Sequence, residues 1–268
     1  MQKKPLVSIL IASYNKEMYV TRCIKSCLSQ TYKNVEIIFV DDGSTDNSYE
    51  IAKKYKKVKA FKNFTKKNKN QFNTFFQINS YLQAFKKSKG KIIFFLDADD
   101  FFKKNKIEYV VKSFEENKNS NILLDRPIIF FSKKNVLYEN NYNNENRNLL
   151  WPRFPPQSCI SIRRSFFVKI LKEVKNKNFP LLTLDFRLAT ISKVIYNDFK
   201  ILKKHLTFYF QDKKGESHSK FRKFNKNWWL RREEAHEYMC YLLKKNKIQY
   251  KNFDYTITKI INFFYIKL

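Results

Sequence analysis

The 268-residue chain carries 54 Lys and Arg against 24 Asp and Glu, a formal net charge of +30. Hydrophobic content of 43% with 17% aromatics supplies a core and excludes a disordered chain, and three glycines exclude collagen-like or glycine-rich architectures. Cys23, Cys27, Cys159 and Cys240 form no Cys-x-x-Cys pair and no zinc spacing, so a reducing compartment fits better than a disulfide-stapled scaffold.

The first hundred residues alternate strand and helix patterns. Leu6–Ala12 reads as a buried strand. Lys16–Gln30 reads as a helix capped by Asn15, with Val20, Ile24, Cys27 and Leu28 on one face. Val35–Val40 is a second buried strand running into Asp41-Asp42-Gly43-Ser44. A short helix follows over Asp46–Tyr55, capped by Ser44 or Thr45, and Val58–Phe61 is a third strand. Asn73–Lys87 is helical, with Phe76, Ser80 and Ala84 inward. Lys91–Leu96 is a fourth buried strand ending in Asp97-Ala98-Asp99-Asp100. Continuous apolar strands separated by amphipathic helices predict a mostly parallel α/β sheet covered on both faces.

The second half is less regular. Asn105–Asn117 is predicted helical, Asn121–Phe131 extended, Lys133–Leu150 an Asn-rich loop, and Ser158–Arg163 a strand. Leu184–Tyr196 is predicted helical, Gln211–Lys226 is a polar loop, and Asn227–Lys245 and Asp254–Ile266 are closing helices. No element is assigned over 197–210. Ile257–Ile266 is read as packing on the core, with contact to a membrane surface as the alternative. The Asn-rich loop is the best seam, which divides the chain into 1–132, 133–225 and a helical extension, 226–268.

No apolar run approaches the roughly 18–20 residues of a spanning helix. The opening residues lack a signal-peptide pattern, so a cytoplasmic location is expected. The charge invites a nucleic-acid reading, but most of it is Lys, and Lys, Asn, Ile, Phe and Tyr share A- and T-rich codons. Arg, the usual reader of phosphates and bases, is scarce, and no nucleic-acid-binding motif appears. No nucleic-acid partner is therefore expected. A Lys-rich surface also suits anionic phospholipid headgroups.

In parallel α/β sheets, ligands bind at the carboxyl ends of the strands. Three such ends here carry polar groups: Ser13-Tyr14-Asn15, Asp41-Asp42 and Asp97-x-Asp99. Two carboxylates around one small residue suit Mg²⁺ or Mn²⁺, which prefer oxygen ligands and keep positions open for phosphate. A solvated turn is the competing reading of Asp-x-Asp. A strand–turn–helix corner explains Gly43, Ser44 and Asp46, but not two acids where the sheet meets solvent.

Val7-Ser8-Ile9-Leu10-Ile11-Ala12-Ser13-Tyr14-Asn15, Val40-Asp41-Asp42-Gly43-Ser44-Thr45-Asp46 and Phe95-Leu96-Asp97-Ala98-Asp99-Asp100 occur in that order. The ordered set resembles family 2 glycosyltransferases of the GT-A fold, strongly over residues 5–110 and thinly between about 120 and 240. The resemblance implies a nucleotide-sugar donor, a UDP-sugar first among candidates, and a Mg²⁺ or Mn²⁺ ion. Ser13, Tyr14 and Asn15 would line the nucleotide pocket, and Asp41 and Asp42 would contact base and ribose. Asp97, Ala98 and Asp99 would form the segment holding metal and diphosphate.

Such enzymes invert the anomeric centre by direct displacement, with a carboxylate base from the second half. The family's acidic pair resembles Leu184-Asp185 here, which makes Asp185 the candidate base although Leu184 replaces the first acid. A helix-start carboxylate is the competing reading, and Asp198 and Asp125 are rivals. Either Arg163 or Arg164 is a candidate for diphosphate, against a surface ion pair. His218, in a polar loop, is a candidate metal or phosphate contact, against simple solvation. Cys23 and Cys27 are read as buried packing. Trp228-Trp229-Leu230-Arg231-Arg232 is read as packing the last helices onto the core, with Arg–Glu pairs outside.

The Gln-x-x-Arg-Trp motif of processive members is absent. The resemblance thus implies single sugar transfer to a glycan or lipid-linked acceptor in bacterial surface polysaccharide, lipooligosaccharide or capsule synthesis, in the cytoplasm or peripherally on its membrane. The alternative from another class is a non-catalytic nucleotide- or nucleic-acid-binding protein driven by basic charge. A nucleotidyltransferase is disfavoured because Leu10–Lys16 lacks the glycine-rich loop of such enzymes.

Overall fold

Strand Val7–Ser13 (β1) is buried at every position, so it has no polar face and must lie in the middle of a sheet. In the computed structural model, which describes residues 4–63, 73–131, 134–136, 154–211, 221–247 and 252–267, it does. It pairs in parallel with Val35–Asp41 (β2) on one side and Ile92–Asp97 (β4) on the other, and β2 pairs in parallel with Val58–Lys62 (β3). The intervening helices are Glu17–Leu28 (α1), Ser48–Lys53 (α2) and Asn73–Lys87 (α3).

Beyond β4 the sheet turns mixed. The next elements are Phe101–Phe102 (β5), Lys106–Glu116 (α4), Ile122–Phe131 (β6) and Lys134–Val136 (β7). A 3₁₀ turn over Gln157–Cys159 leads into Ile160–Arg163 (β8), followed by Arg164–Lys169 (α5), Leu171–Val174 (α6) and Leu184–Thr190 (α7). Lys200–Phe210 (β9), Lys226–Lys245 (α8) and Phe253–Lys267 (α9) close the chain. Among the described residues the order is β3-β2-β1-β4-β8-β6-β9-β5, with β7 on β6. β8 is antiparallel to both β4 and β6, while β6 and β9 run parallel. The result is an α/β fold in which one sheet carries both halves of the chain.

Alternation along the strands splits the core in two. Val7, Ile9, Ile11, Phe94 and Leu96 face α1 and α4. Leu10, Ala12, Ile93 and Phe95 face α3 and the later helices, where Tyr81, Phe85 and Phe167 stack edge to face. Each such fully buried aliphatic or aromatic side chain contributes roughly 1.5–3 kcal/mol over exposure. Gly90 is required by packing: a Cβ there would lie 2.5 Å from the Ser8 backbone nitrogen.

Several expectations need correction. The 11-residue strand β9 occupies residues given no element, and β5 was equally unanticipated. Its Lys-Lys-His interruption hides the strand, because Lys203 and Lys204 are exposed while Leu202, Leu206 and Thr207 are buried. The helix expected over Leu184–Tyr196 is α-helical only to Thr190 and finishes as a π turn over Ile191–Ile195. Asn15 does not cap α1. It takes a positive φ of 52° and spends its side chain on Thr45, while Lys16 holds the cap position. Among the described residues Arg163 and Arg164 form no ion pairs, and they do not face the acidic turn; they donate to backbone carbonyls of Phe114, Ser120 and Gly90 and stack on Phe114 and Phe85. No helix among the described residues is long and apolar enough to cross a membrane.

Candidate active site

The carboxyl ends of β1, β2 and β4 lie side by side, with Ser13 paired to Asp41 and Ala12 to Asp97. This register alone gathers the three polar motifs at one edge. At β2, Asp41 accepts from the Ser44 amide (2.9 Å) and the Ser44 hydroxyl (2.5 Å), closing the turn in which Gly43 adopts φ +72°. Asp42 is buried and accepts from Asn63 Nδ2 (2.9 Å) and Ser80 Oγ (3.3 Å). Asn15 Oδ1 accepts from the Thr45 amide at 2.9 Å, and its own amide donates to Ser44 Oγ at 2.9 Å, so the β1 and β2 loops are tied together. Tyr14 is exposed at 39%, and the Ser13 hydroxyl is buried without a hydrogen-bond partner among the described residues. A buried unpaired hydroxyl costs stability unless something completes it.

The turn after β4 is the most acidic point. Asp97 Oδ1 accepts from Gln77 Nε2 and Tyr81 Oη, each at 2.8 Å, and from Gln157 Nε2 at 3.3 Å. Burial, with Asp99 beside it, pushes the Asp97 carboxyl up to about 7 despite the Tyr81 hydrogen bond. Asp99 pairs with Lys16 Nζ at 2.6 Å, and its backbone carbonyl accepts from Arg22 at 3.0 Å. Burial pushes Lys16 down, but Asp99 outweighs it and the ammonium is raised overall. Asp100 is wholly buried, held by Ser158 Oγ (2.5 Å) and the Phe210 amide (2.8 Å); burial and its two acidic neighbours push it well up.

Ser158 is the joint beneath this turn. Its hydroxyl also accepts the Asp97 amide at 3.0 Å, and its carbonyl accepts from Lys106 at 2.7 Å. Lys106 and Asp125 form a fully buried ion pair at 2.6 Å, completed by Thr207. Asp125 is thereby committed below the site and cannot face an acceptor. Asp198, the other rival base, is spent on the backbone and side-chain nitrogens of Asn121.

Asp185 sits in the first turn of α7, where its Oδ1 accepts the Phe186 amide at 2.8 Å. Burial raises its carboxyl, with Thr183, the Phe186 amide and Arg231 acting the other way. Its charge is felt at Asp97 and at Tyr209, whose phenol is pushed well up by burial and by Asp100, Asp97, Asp99 and Asp185. Asp185 thus lies within electrostatic reach of the β4 turn and of Tyr209 of β9. The turn that delivers it is fixed by Glu234 of α8, whose Oε1 accepts the Leu181 and Leu182 amides at 2.7 and 3.1 Å. Burial pushes Glu234 up to about 7. Glu234 is thus internal, not part of an outward Arg–Glu pair. Arg231 donates to the Leu181 carbonyl at 3.0 Å and lies over the Phe221 ring.

The expected residues Ser13, Tyr14, Asn15, Asp41, Asp42, Asp97, Ala98 and Asp99 thus share one sheet edge, and Asp185 acts on it electrostatically from the first turn of α7. His218 lies outside the described residues. Sequence reasoning passed over Lys16, Gln77, Tyr81, Gln157, Ser158, Tyr209 and Glu234. Only Lys16, next to the Asn15 motif, carried a local signal.

The donor set suits a hard divalent cation in part. Asp97 and Asp99 offer oxygens amid surplus negative charge, and the Asp99 carboxylate already attracts a cation, Lys16. Among the described residues no three carboxylate, imidazole or thiol groups converge on one point. Two carboxylates would leave the other positions to water and phosphate oxygens, the usual Mg²⁺ arrangement.

Known proteins resemble the chain in sequence or in fold. An uncharacterised glycosyltransferase of Rickettsia conorii is 42% identical over 111 residues, covering 41% of this chain and 17% of its own. One from Nostoc is 27% identical over 223 residues, 76% of this chain and 64% of its own. The Escherichia coli UDP-Glc:alpha-D-GlcNAc-diphosphoundecaprenol beta-1,3-glucosyltransferase WfaP is 35% identical over 140 residues, 51% of this chain and 48% of its own. The chain therefore spans less than two thirds of each of these relatives. Among solved structures, S. aureus TarS 1–349 with UDP-GlcNAc superposes with a TM-score of 0.63 at 17% identity, covering 88% of this chain and 66% of that one. The Pyrobaculum calidifontis mannosyltransferase PcManGT with GDP-Man and Mn²⁺ gives 0.57 at 12% identity, covering 94% and 67%. These likenesses establish the GT-A-like fold. The family model for glycosyl transferase family 2 matches residues 8–175, well over half the chain, and the chain belongs to that family.

Proposed function

We propose that the chain transfers a single sugar, with inversion, from a nucleotide-sugar donor to a glycan or lipid-linked acceptor. The observation that carries this reading is the gathering of Asp41, Asp42, Asp97 and Asp99 at one sheet edge by the register of β1, β2 and β4, with Asp185 at the start of α7 within electrostatic reach of Asp97. A UDP-sugar is the donor in this reading. TarS is seen with UDP-GlcNAc, and WfaP is named for UDP-Glc and a diphosphoundecaprenol-linked acceptor. By analogy this chain serves bacterial surface polysaccharide, lipooligosaccharide or capsule synthesis on the cytoplasmic side.

In this reading residues 1–132 hold the donor, 133–225 supply the acceptor side and the base, and 226–268 form a supporting extension. The Ser13 hydroxyl and the Tyr14–Asn15 loop line the nucleotide, and Asp41 and Asp42 contact base and ribose. Asp97 and Asp99 would hold Mg²⁺ or Mn²⁺, and His218 is the further candidate ligand. When bound, the metal neutralises charge on the departing diphosphate. Lys16 then adds a positive charge beside the same oxygens. The acceptor hydroxyl oxygen bonds to the anomeric carbon from the face opposite the diphosphate. The carbon–oxygen bond to the diphosphate breaks, and the nucleoside diphosphate leaves with the electron pair. Asp185 takes the hydroxyl proton. Its burial raises its basicity, which suits that task near neutral pH.

Thermal unfolding with UDP, GDP, CDP and dTDP, each with Mn²⁺, Mg²⁺ or chelator, tests the donor reading. One nucleotide at about a hundred times its Kd should stabilise by about 2.7 kcal/mol in a metal-dependent way, and Asp99→Asn should abolish the metal dependence. No response to any nucleotide, with salt-sensitive binding to DNA or RNA, would overturn it in favour of a charge-driven binding protein.

A further inference from the structure

Helix α9 is packed inside out. Its polar side chains face α8: Asp254 engages Arg232 and His236, and Asn262 donates to the Trp229 carbonyl (3.1 Å) and to Glu233 (2.6 Å). Thr258 and Asn262 are 0% and 1% exposed. The opposite face carries Phe253, Ile257, Ile260 and Phe264, exposed at 79%, 37%, 53% and 59%. Their spacing of four, three and four residues places them in one stripe along the helix. A helix in plain contact with water would turn the other way, because its hydrogen-bonding residues would be solvated and its apolar ones buried. The core-packing expectation for this segment is therefore overturned: the apolar stripe does not meet the core.

A further exposed ring lies near the end of the helix. Tyr265 donates to the Phe224 carbonyl at 3.4 Å, and Phe224 is itself 58% exposed. Exposed cations accompany it: Arg222, Lys223 and Lys226 flank Phe224 in the chain, and Lys259 is exposed on the helix itself. Contiguous apolar surface of this kind marks an interaction site. Its rim and the chain's +30 charge decide the partner. A second copy would bring like charges together, whereas an anionic lipid surface supplies both an apolar interior for the stripe and counter-charge for the rim.

We propose that α9 and the adjoining Phe224 turn form a docking face for an anionic bilayer surface, with Phe253, Ile257, Ile260 and Phe264 entering the headgroup–acyl boundary. The proposal goes beyond the transferase reading and does not depend on it. It does have a bearing on the site, since α8, the helix on which α9 lies, also holds the Leu181–Leu182 turn ahead of Asp185 through Glu234.

Co-sedimentation with phosphatidylcholine vesicles, with and without phosphatidylglycerol, tests it without any sugar substrate. The wild-type chain should bind the phosphatidylglycerol vesicles and bind pure phosphatidylcholine more weakly. The Ile260→Glu, Phe264→Glu double variant should lose about tenfold or more in binding. Ile260→Ser with Phe264→Ser should lose affinity in the same direction, and Phe264→Leu should keep it. All substituted side chains are exposed, so thermal unfolding should match wild type. Three results would overturn the proposal: no sedimentation with either vesicle, equal sedimentation of wild type and the Glu variant, or a stable dimer that the same substitutions dissociate.

Discussion

Replacing Glu234 by Gln isolates one titration that the fold imposes. Gln keeps an Oε1 acceptor for the Leu181 and Leu182 amides but cannot ionise. In the folded chain burial holds the Glu234 proton up to about 7, against an ordinary 4.5, even though Arg187 and the two amides favour the carboxylate. The unfolded chain releases that proton first as pH rises. Stability from this group is therefore complete below about 4.5 and is lost progressively as pH rises through about 7. At 1.36 kcal/mol per pH unit the loss amounts to about 3 kcal/mol, an order-of-magnitude figure. Denaturant unfolding of wild type and Glu234→Gln at fixed pH values from 4 to 8 measures it as a difference, so that titration of Asp97 and Asp100 cancels. The variant should gain on wild type by about 3 kcal/mol across that window and then level off. A difference that stays flat, or one that shrinks as pH rises, would refute the buried-carboxyl reasoning.

Other perturbations separate chemistry from scaffolding. Asp185→Asn should lower kcat by about 10²–10⁴ while leaving nucleotide-dependent stabilisation intact, measured by product formation beside thermal shift; loss of both together would remove Asp185 from the role of base. Lys106→Met strands Asp125 as an uncompensated buried charge and should cost about 3–5 kcal/mol in denaturant unfolding, with Asp125→Leu added to it restoring much of the loss. Ser158→Ala removes the hydroxyl shared by Asp100 and the Asp97 amide and should cost about 1–3 kcal/mol, with weaker metal-dependent nucleotide binding in the same protein.

The parallel half of the fold was legible because its strands are buried on both sides. β1, β2 and β4 are apolar runs interrupted only by Ser8 and Glu36 near their starts and each closed by a polar residue, and burial on two faces allows little else. α3 was legible to the residue because Phe76, Ser80 and Ala84 keep a helical period under the sheet. β9 was not. It lies beside β6 and β5 with Lys203 and Lys204 at its exposed positions, and its register shifts near Arg126, so no steady period of two survives in the sequence. α9 misled for a related reason: apolar residues at helical spacing report a stripe but not which way it faces. Its direction was decided by Arg232 and His236, far enough away in sequence to leave no trace in the helix itself.

The same distinction runs through the site. Asp41, Asp42, Asp97 and Asp99 could be named because parallel strands end where ligands bind. What sets their chemistry comes from elsewhere in the chain. Asp97 is governed by Gln77 and Tyr81 from α3 and by Gln157 from the 3₁₀ turn, and Asp99 by Lys16 at the start of α1. Asp185 depends on a turn held by Glu234, some fifty positions downstream. A carboxylate's affinity for a proton or a cation is fixed by burial and neighbouring charge, and neither is a local property of sequence. Motifs could therefore say where acids gather, but only the fold shows which partners each of them has. Asp97, Asp99 and Asp100 crowd one turn, with Lys16 bound to an Asp99 carboxylate oxygen and Arg22 to the Asp99 carbonyl. Burial first, and Asp99 beside it, raise Asp97 to about 7, so a proton as well as Lys16 meets the charge of this turn, and in the transferase reading a cation that arrives with the donor would do the same.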